Sequence, residues 1–355
     1  MKKFSVMQTA AMFSGCFLGA GYLSGQELWQ FFGSFGKIGM AGLALAAVAF
    51  FIFGTILLRL IQDCETSEFE KVIVRKDIKV LRNIFSFAEI FLLLSFFVIM
   101  SAGAGALANQ VFNISFSCGA AVFCAIVSVF ALFGFMGAVS AFSVTVPLIV
   151  LFTAVISIVL AFKNGIGKMP ALCVSGKSGF TNNFIISALS FVMYNLFASV
   201  GILTSAGKYI KERKQVYLGV FAGCAFMFIP AIGILASIAN TDGAAGAQLP
   251  MLYAISQLSR KLGCFFAILL FLGMFGTALS SVVSITQYFE AKKNINKYKK
   301  AALVFATGIF AFICGFFGFS RLVSVVYPIF GYVGAAAFLF IIEHLIYIKR
   351  HGPAG

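Results

Sequence analysis

Glu27 ends the run Gly19-Ala20-Gly21-Tyr22-Leu23-Ser24-Gly25-Gln26-Glu27, which lies in the middle of the first hydrophobic stretch of the chain. Three glycines, a serine and a carboxylate are poor material for a continuous apolar helix. Glycine costs about 1 kcal/mol relative to alanine in a helix interior, and closely spaced glycines beside Ser24 let a few residues unwind. In lipid, unwinding is tolerated only where protein or a watery cavity satisfies the freed N–H and C=O groups. Those groups can then hold a solute. Amides at Ala20 and Gly21, next to Gly19, suit an anionic group, and carbonyls at Gly15 and Leu18 suit a cation.

Ser24 and Glu27 admit two readings. Ser-x-x-Glu before an apolar run is a capping box, in which Ser24 caps the helix that follows and Glu27 reaches back to its N–H. Alternatively, Glu27 faces the solute path as a proton acceptor or as the contact for a cationic substrate. A carboxylate at that helix end competes with a substrate carboxylate, which favours zwitterions or amines over purely anionic solutes.

A second constellation is Gly276-Thr277-Ala278-Leu279-Ser280-Ser281 in a late hydrophobic stretch. Adjacent hydroxyls one turn beyond Thr277, with main-chain carbonyls, offer the hard oxygen ligands an alkali cation needs. The competing reading is that Ser and Thr hydroxyls bond the carbonyl four residues back or hold neighbouring helices together. Other polar residues have plainer roles. Glu89 is expected to snorkel at the inner start of its span. Glu343 and His344 read as an interfacial pair, with a proton relay as the alternative. Tyr22 and Trp29 flank the glycine-rich run, and Trp29 reads as an interface belt residue rather than a cage for a quaternary ammonium. The eight cysteines show no paired spacing and read as small apolar filler. No zinc-protease, P-loop or nucleophile-elbow motif occurs, so an enzyme is not expected.

The elements that must carry these residues follow from composition. With 61% hydrophobic and 10% charged residues and a mean hydropathy of +1.03, a soluble globular protein is excluded. Apolar runs of roughly 20 residues mark membrane-spanning helices. Ten spans are expected, at 5–35, 39–62, 82–110, 115–135, 140–162, 182–212, 215–239, 261–291, 299–319 and 323–348. Most of the 26 lysines and arginines then fall in inner loops, as the positive-inside rule requires. The net charge of +15 therefore encodes topology and not nucleic-acid binding. Both termini are placed on the cytoplasmic side of the cell membrane, and the first stretch is expected to be retained as a span.

The connection 62–83, of mixed charge, is expected to hold a short cytoplasmic surface helix. An outer loop at 163–183 divides the spans five and five. The second half must then enter the membrane in the opposite sense, giving an inverted repeat of 1–162 and 182–355 joined by an extracellular linker at 163–181. Such repeats carry irregularities in the first span of each half. These are the glycine-rich run in span one and Tyr194-Asn195…Ser199…Gly201…Ser205…Gly207 in span six.

Ten spans with a glycine-rich break in the first resemble the LeuT-type fold of the amino acid–polyamine–organocation superfamily. The stretch GAGYLSGQELWQFFGSFGKIG is similar to the signature of YkvI-like membrane proteins. The resemblance implies an all-α, 5+5 inverted-repeat architecture with helices 1 and 6 discontinuous. It implies sodium at the carbonyls of Gly15, Leu18 and Thr277 and the hydroxyls of Ser280 and Ser281, and substrate at Ala20 and Gly21 and at Tyr194, Asn195 and Gly201. Some sodium-independent members place a lysine in span five, and none occurs at 141–162 here. Familiar members have a basic gate residue just after the break, where this chain has Gly25, Gln26 and Glu27. Arg321 is the candidate partner for a charge-reversed gate with Glu27, and an interfacial anchor is the simpler role.

The function expected is a secondary active transporter, sodium-coupled, moving a small amino acid or related amine by alternating access. Its partners are a small-molecule solute and the lipid bilayer, with no cofactor beyond Na+ as coupling ion. The alternatives are a proton-coupled carrier using Glu27, or a non-transporting ligand sensor resembling spore-germinant receptor membrane subunits.

Overall fold

A computed structural model describes residues 4–64, 69–74, 78–133, 148, 151–157, 159–160, 181–207, 209–210, 212–293 and 295–351. The chain begins with three short helices, α1 (Val6–Gly15), α2 (Ala20–Leu23) and α3 (Gln26–Phe31), then α4 (Lys37–Cys64), α5 (Phe69–Ile73), α6 (Lys79–Phe112) and α7 (Phe116–Leu132). After Thr181 come α8 (Phe184–Gly207), α9 (Arg213–Ala239), α10 (Pro250–Leu258), α11 (Arg260–Lys293), α12 (Lys297–Gly315) and α13 (Phe319–His351). Among the described residues, seven helices (α4, α6, α8, α9, α11, α12 and α13) are long and apolar enough to cross a membrane, and α7 is a shorter apolar helix. Expected span five and the loop at 163–181 fall mostly outside the described residues.

The first span is broken as its glycines suggest. Ser5 and Gln8 cap the start of α1 reciprocally (Gln8 N–H to Ser5 Oγ 3.1 Å, Ser5 N–H to Gln8 Oε1 2.8 Å), a capping box that fixes where the helix begins. After Gly15 the chain tightens. Phe17 N–H and Leu18 N–H both reach the Ser14 carbonyl (3.0 and 3.1 Å), and Gly19 N–H reaches Phe17 (2.8 Å). The carbonyls of Gly15 and Leu18 lie outside these turn bonds. A second interruption separates α2 from α3 at Ser24 and Gly25, where Gly25 has φ +79°, a conformation that suits glycine.

The expected break in span six is absent: α8 runs unbroken from Phe184 to Gly207. Its polar residues close onto their own helix. Asn195 Nδ2 donates to Phe191 O (2.9 Å), Ser199 Oγ to Leu196 O (2.8 Å) and Thr204 Oγ1 to Val200 O (2.6 Å), the back-bonding that lets such residues sit in a buried helix.

Packing sorts the helices into an interior and an outside. In the most apolar stretches of α6 and α8, 72% of residues are buried, against 28% in α12. Helix α8 is enclosed by α4 and α13, while α1 lies along α9 and α6 along α11. Phe13 of α1 fits where Gly54 of α4 and Gly223 of α9 lack side chains: a methyl there would stand 2.6 and 2.8 Å from its ring. Large apolar side chains such as Phe130 of α7, Ile309 of α12 and Leu339 of α13 remain exposed, which suits a lipid-facing surface.

Helix α5 corrects the expectation for the connection 62–83. A short helix does form there, but it is not on the surface: Glu70, Val72 and Ile73 are buried. It lies against α6, α8 and α13. His344 of α13, also buried, donates from Nδ1 to the Val72 carbonyl (3.0 Å), so it seats α5 instead of lying at an interface.

Candidate functional site at the broken first helix

Helix α3 begins without a side-chain cap: Gly25 occupies the N-cap position. Ser24 Oγ accepts from Gln26 N–H at 3.3 Å and donates to Gly21 O at 3.1 Å. Glu27 takes no part in a capping box. It is 4% exposed, and its carboxylate crosses to α8, where Tyr194 O–H donates to Oε1 and Asn195 Nδ2 lies 3.4 Å from the same oxygen. Glu27 therefore faces the interior and does not reach back to cap its own helix. Hydrogen bonds to an ionised group are the stronger kind, and two donors offset part of the cost of burying the acid.

The other carboxylate oxygen sits over the break. A methyl on Gly21 would stand 2.8 Å from Glu27 Oε2 and 3.3 Å from the Tyr327 hydroxyl. Gly21 is therefore glycine because two oxygens occupy the space a Cβ would take. Tyr327, on α13 beside Pro328, was not among the expected site residues. It stacks on Tyr194 with ring centroids 4.7 Å apart, Tyr194 stacks on Phe31 at 5.6 Å, and Phe96 meets Tyr327 edge-on at 5.7 Å. An aromatic wall from four elements thus lines the carboxylate. Tyrosine in an apolar span gives little sequence signal; the adjacent proline, which removes a ladder donor inside α13, is the only hint.

The second turn of the break is held from the outside. Tyr22 O–H donates to Met227 O of α9 (2.5 Å), and Met251 N–H at the start of α10 donates to Ser24 O (2.7 Å). Trp29 is apart from the cluster, with its ring over Gly33.

Facing the other side of the break is α11. A methyl on Gly19 would lie 3.2 Å from Thr277 Oγ1, so the first break and Thr277 are neighbours. Thr277 Oγ1 donates to Gly273 O (3.0 Å) and Ser281 Oγ to Thr277 O (2.8 Å), and Ser280 and Ser281 are buried. The oxygens of α11 thus approach the break, with Thr277 the member whose contact is direct.

Two expected residues lie elsewhere. Gly201 is two turns along α8 from Tyr194, about 10 Å at the helical rise, and its N–H bonds Glu89 Oε1 (3.1 Å). Glu89 does not snorkel: it is 1% exposed. Arg321 is exposed and forms no ion pair with Glu27 among the described residues, so no charge-reversed gate is closed here.

No family model matches the chain. Over 335 residues it is 22% identical to the uncharacterized membrane protein YkvI of Bacillus subtilis (strain 168), covering 94% of each chain. Among solved structures, MhsT in complex with L-phenylalanine superposes with a TM-score of 0.70 at 15% identity, covering 100% of this chain and 91% of that one. Mhp1, a nucleobase-cation-symport-1 family transporter closed on bromovinylhydantoin, gives 0.72 at 14% identity, covering 98% and 80%. The chain resembles YkvI over nearly its whole length and shares the fold of MhsT and Mhp1. Identities this low establish fold and not substrate. With the seven long apolar helices among the described residues, they make it an all-helical, multi-pass membrane protein.

Proposed function

We propose that the chain is a sodium-coupled secondary transporter of a small amino acid or related amine, working by alternating access about the break in its first span. The observation that carries this reading is Glu27: a carboxylate buried inside a broken helix, over Gly21 and against an aromatic wall. A solute bearing an ammonium group supplies the cation that site lacks, and Tyr194, Tyr327 and Phe31 supply faces for it. Glu27 takes space near Gly21 that a substrate carboxylate would otherwise use, so amines are favoured over anions. Gly19, Ala20, Ser24 and Asn195 complete the substrate site.

Sodium is assigned to the Gly15, Leu18 and Thr277 carbonyls with the Ser280 and Ser281 hydroxyls. These are hard neutral oxygens, the approach of Gly19 to Thr277 supports drawing them from the break and from α11, and carbonyls at a helix break are suited to such an ion. The hydroxyl of Ser281 donates to the Thr277 carbonyl in this structure, and its lone pairs stay available to a cation. Ten spans in a 5+5 inverted repeat, 1–162 and 182–355 about a linker at 163–181, with both termini cytoplasmic, complete the topology of the proposal. Phe4 N–H bonds Tyr209 O (3.1 Å), and the basic start of α9 (Arg213, Lys214) and end of α11 (Lys292, Lys293) supply the positive side.

The test is a thermal-shift screen of amino acids and amines with the purified protein in sodium and in choline buffer. Ligands that bind the folded state raise its apparent stability. An amine that stabilises the protein more in sodium than in choline, and less after Glu27→Gln, supports the assignment. Stabilisation identical in both salts removes sodium.

A further inference from the structure

We propose that Glu89 is a proton-binding site, separate from the broken helix, whose access to water is controlled by the short helix α5. Glu89 is 1% exposed, in the N-terminal half of α6. Its Oε1 accepts the Gly201 N–H (3.1 Å), while its Oε2 is buried with no hydrogen-bond partner. Ser86 Oγ, one turn earlier on α6, is also buried and unpartnered. Residues three apart lie on neighbouring positions of a helix face, so two orphaned oxygens share one wall.

No cation is paired with this carboxyl among the described ion pairs. The titratable groups on or bonded to the covering helix α5 are its own Glu70 and Lys71, Lys292 of α11 with its partner Tyr288, and His344 of α13, while α8 supplies the Gly201 amide. Glu70, buried on the helix that covers the site, is a second acid and not a counter-cation. A buried polar group is retained when something satisfies it, and an isolated buried charge is avoided. A proton on Oε2 removes the charge and converts that oxygen into a donor.

Helix α5 covers the site. The Phe69 ring lies within reach of the space above Gly201, 3.9 Å from a methyl built there, and packs on Tyr288 at 5.8 Å. Glu70 pairs with Lys292 (3.3 Å), which also donates to the Tyr288 hydroxyl (2.6 Å). When α5 lifts, the Glu89 Oε2–H bond breaks, the proton passes to water on that side, and the electron pair stays on Oε2, leaving a carboxylate held by Gly201 N–H. Reclosure requires the proton back. Sodium at the break is not needed for this step, so the site stands whether or not the coupling ion is sodium.

The test is infrared spectroscopy of the full-length protein in lipid, exchanged from H2O to D2O. A carboxylic-acid C=O band that shifts on deuteration is expected in wild type and in Glu27→Gln, and is expected to be missing in Glu89→Gln. Gln keeps the acceptor for Gly201, so the variant is expected to fold. In Gly201→Ala, whose methyl would stand 2.8 Å from Glu89 Oε1, the band should move in frequency. Loss of one partly exposed ion pair in Glu70→Gln should speed its deuteration by about twofold to fivefold. A band unchanged in Glu89→Gln, or, if that variant does not fold, unmoved in Gly201→Ala, overturns the proton site. Equal exchange rates in Glu70→Gln overturn its control by α5. None of these readings depends on transport or on the ligand of the central site.

Discussion

At Glu27, burial of a carboxylate is balanced by two donors on α8 and, among the described residues, not by a counter-cation. That makes the charge available to a solute. Glu27→Gln should fold with unchanged or higher thermal stability, because amide oxygen still accepts from Tyr194 and Asn195 while the buried charge is gone. Amine affinity should fall by about a hundredfold, the usual consequence of removing one partner of a buried charge pair at about 3 kcal/mol; isothermal calorimetry reads it. Tyr194→Phe removes one donor and should cost about 1–2 kcal/mol of stability, measured by denaturation, since Glu27 Oε1 keeps only the longer Asn195 bond. Gly21→Ala forces Glu27 Oε2 away from a 2.8 Å approach and should reduce amine binding with Glu27 still present, so its loss of binding in the same assay would separate placement from charge.

At the scale of elements, the break in span one was legible because glycines and a serine in a lipid-spanning run have few other uses. The break predicted in span six was not there, since Asn195, Ser199 and Thr204 each satisfy themselves on their own helix. Small residues in that span serve close packing, Gly201 making room for Glu89. The capping box at Ser24 fitted its pattern but lost to tertiary structure: Glu27 bonds Tyr194 of α8 instead of a backbone amide of its own helix. Burial of α5, Glu89 and Tyr327 was not legible, because mixed charge near a lysine-rich loop reads as a surface and an aromatic in a span reads as lipid-facing. The seat of α5 makes its own prediction. Lys292 is 40% exposed and its pair with Glu70 is worth less than about 1 kcal/mol. Glu70→Gln or Lys292→Gln should therefore leave melting nearly unchanged while increasing thiol labelling of a cysteine placed at Gly201. Exchanging the two charges should return labelling toward wild type. Unaltered labelling in both single variants would show that the pair does not hold α5 down.

For the whole molecule, α6 and α8 form the buried interior and the first span is the element interrupted between them and α11. Such an arrangement lets a ligand at the break bias the packing of one set of helices against another, and a ligand shifts that equilibrium only by its differential affinity for the two states. Sodium bound at Gly15, Leu18 and α11 should therefore stabilise the folded protein, by about 2.7 kcal/mol at a hundred times its dissociation constant. Ser280→Ala with Ser281→Ala removes both proposed hydroxyl ligands and should abolish that increment without unfolding the protein, as a thermal-shift titration with sodium chloride against choline chloride would read.

The most direct measurement of the central claim is uptake of a stabilising amine into liposomes containing the purified protein alone, under an inward sodium gradient. Accumulation above the outside concentration is predicted, lost when sodium is equal on both sides and reduced about a hundredfold in affinity by Glu27→Gln. Saturable binding of the same amine with no flux under any gradient would contradict it, and would make the broken helix a sensor's pocket instead of a carrier's path.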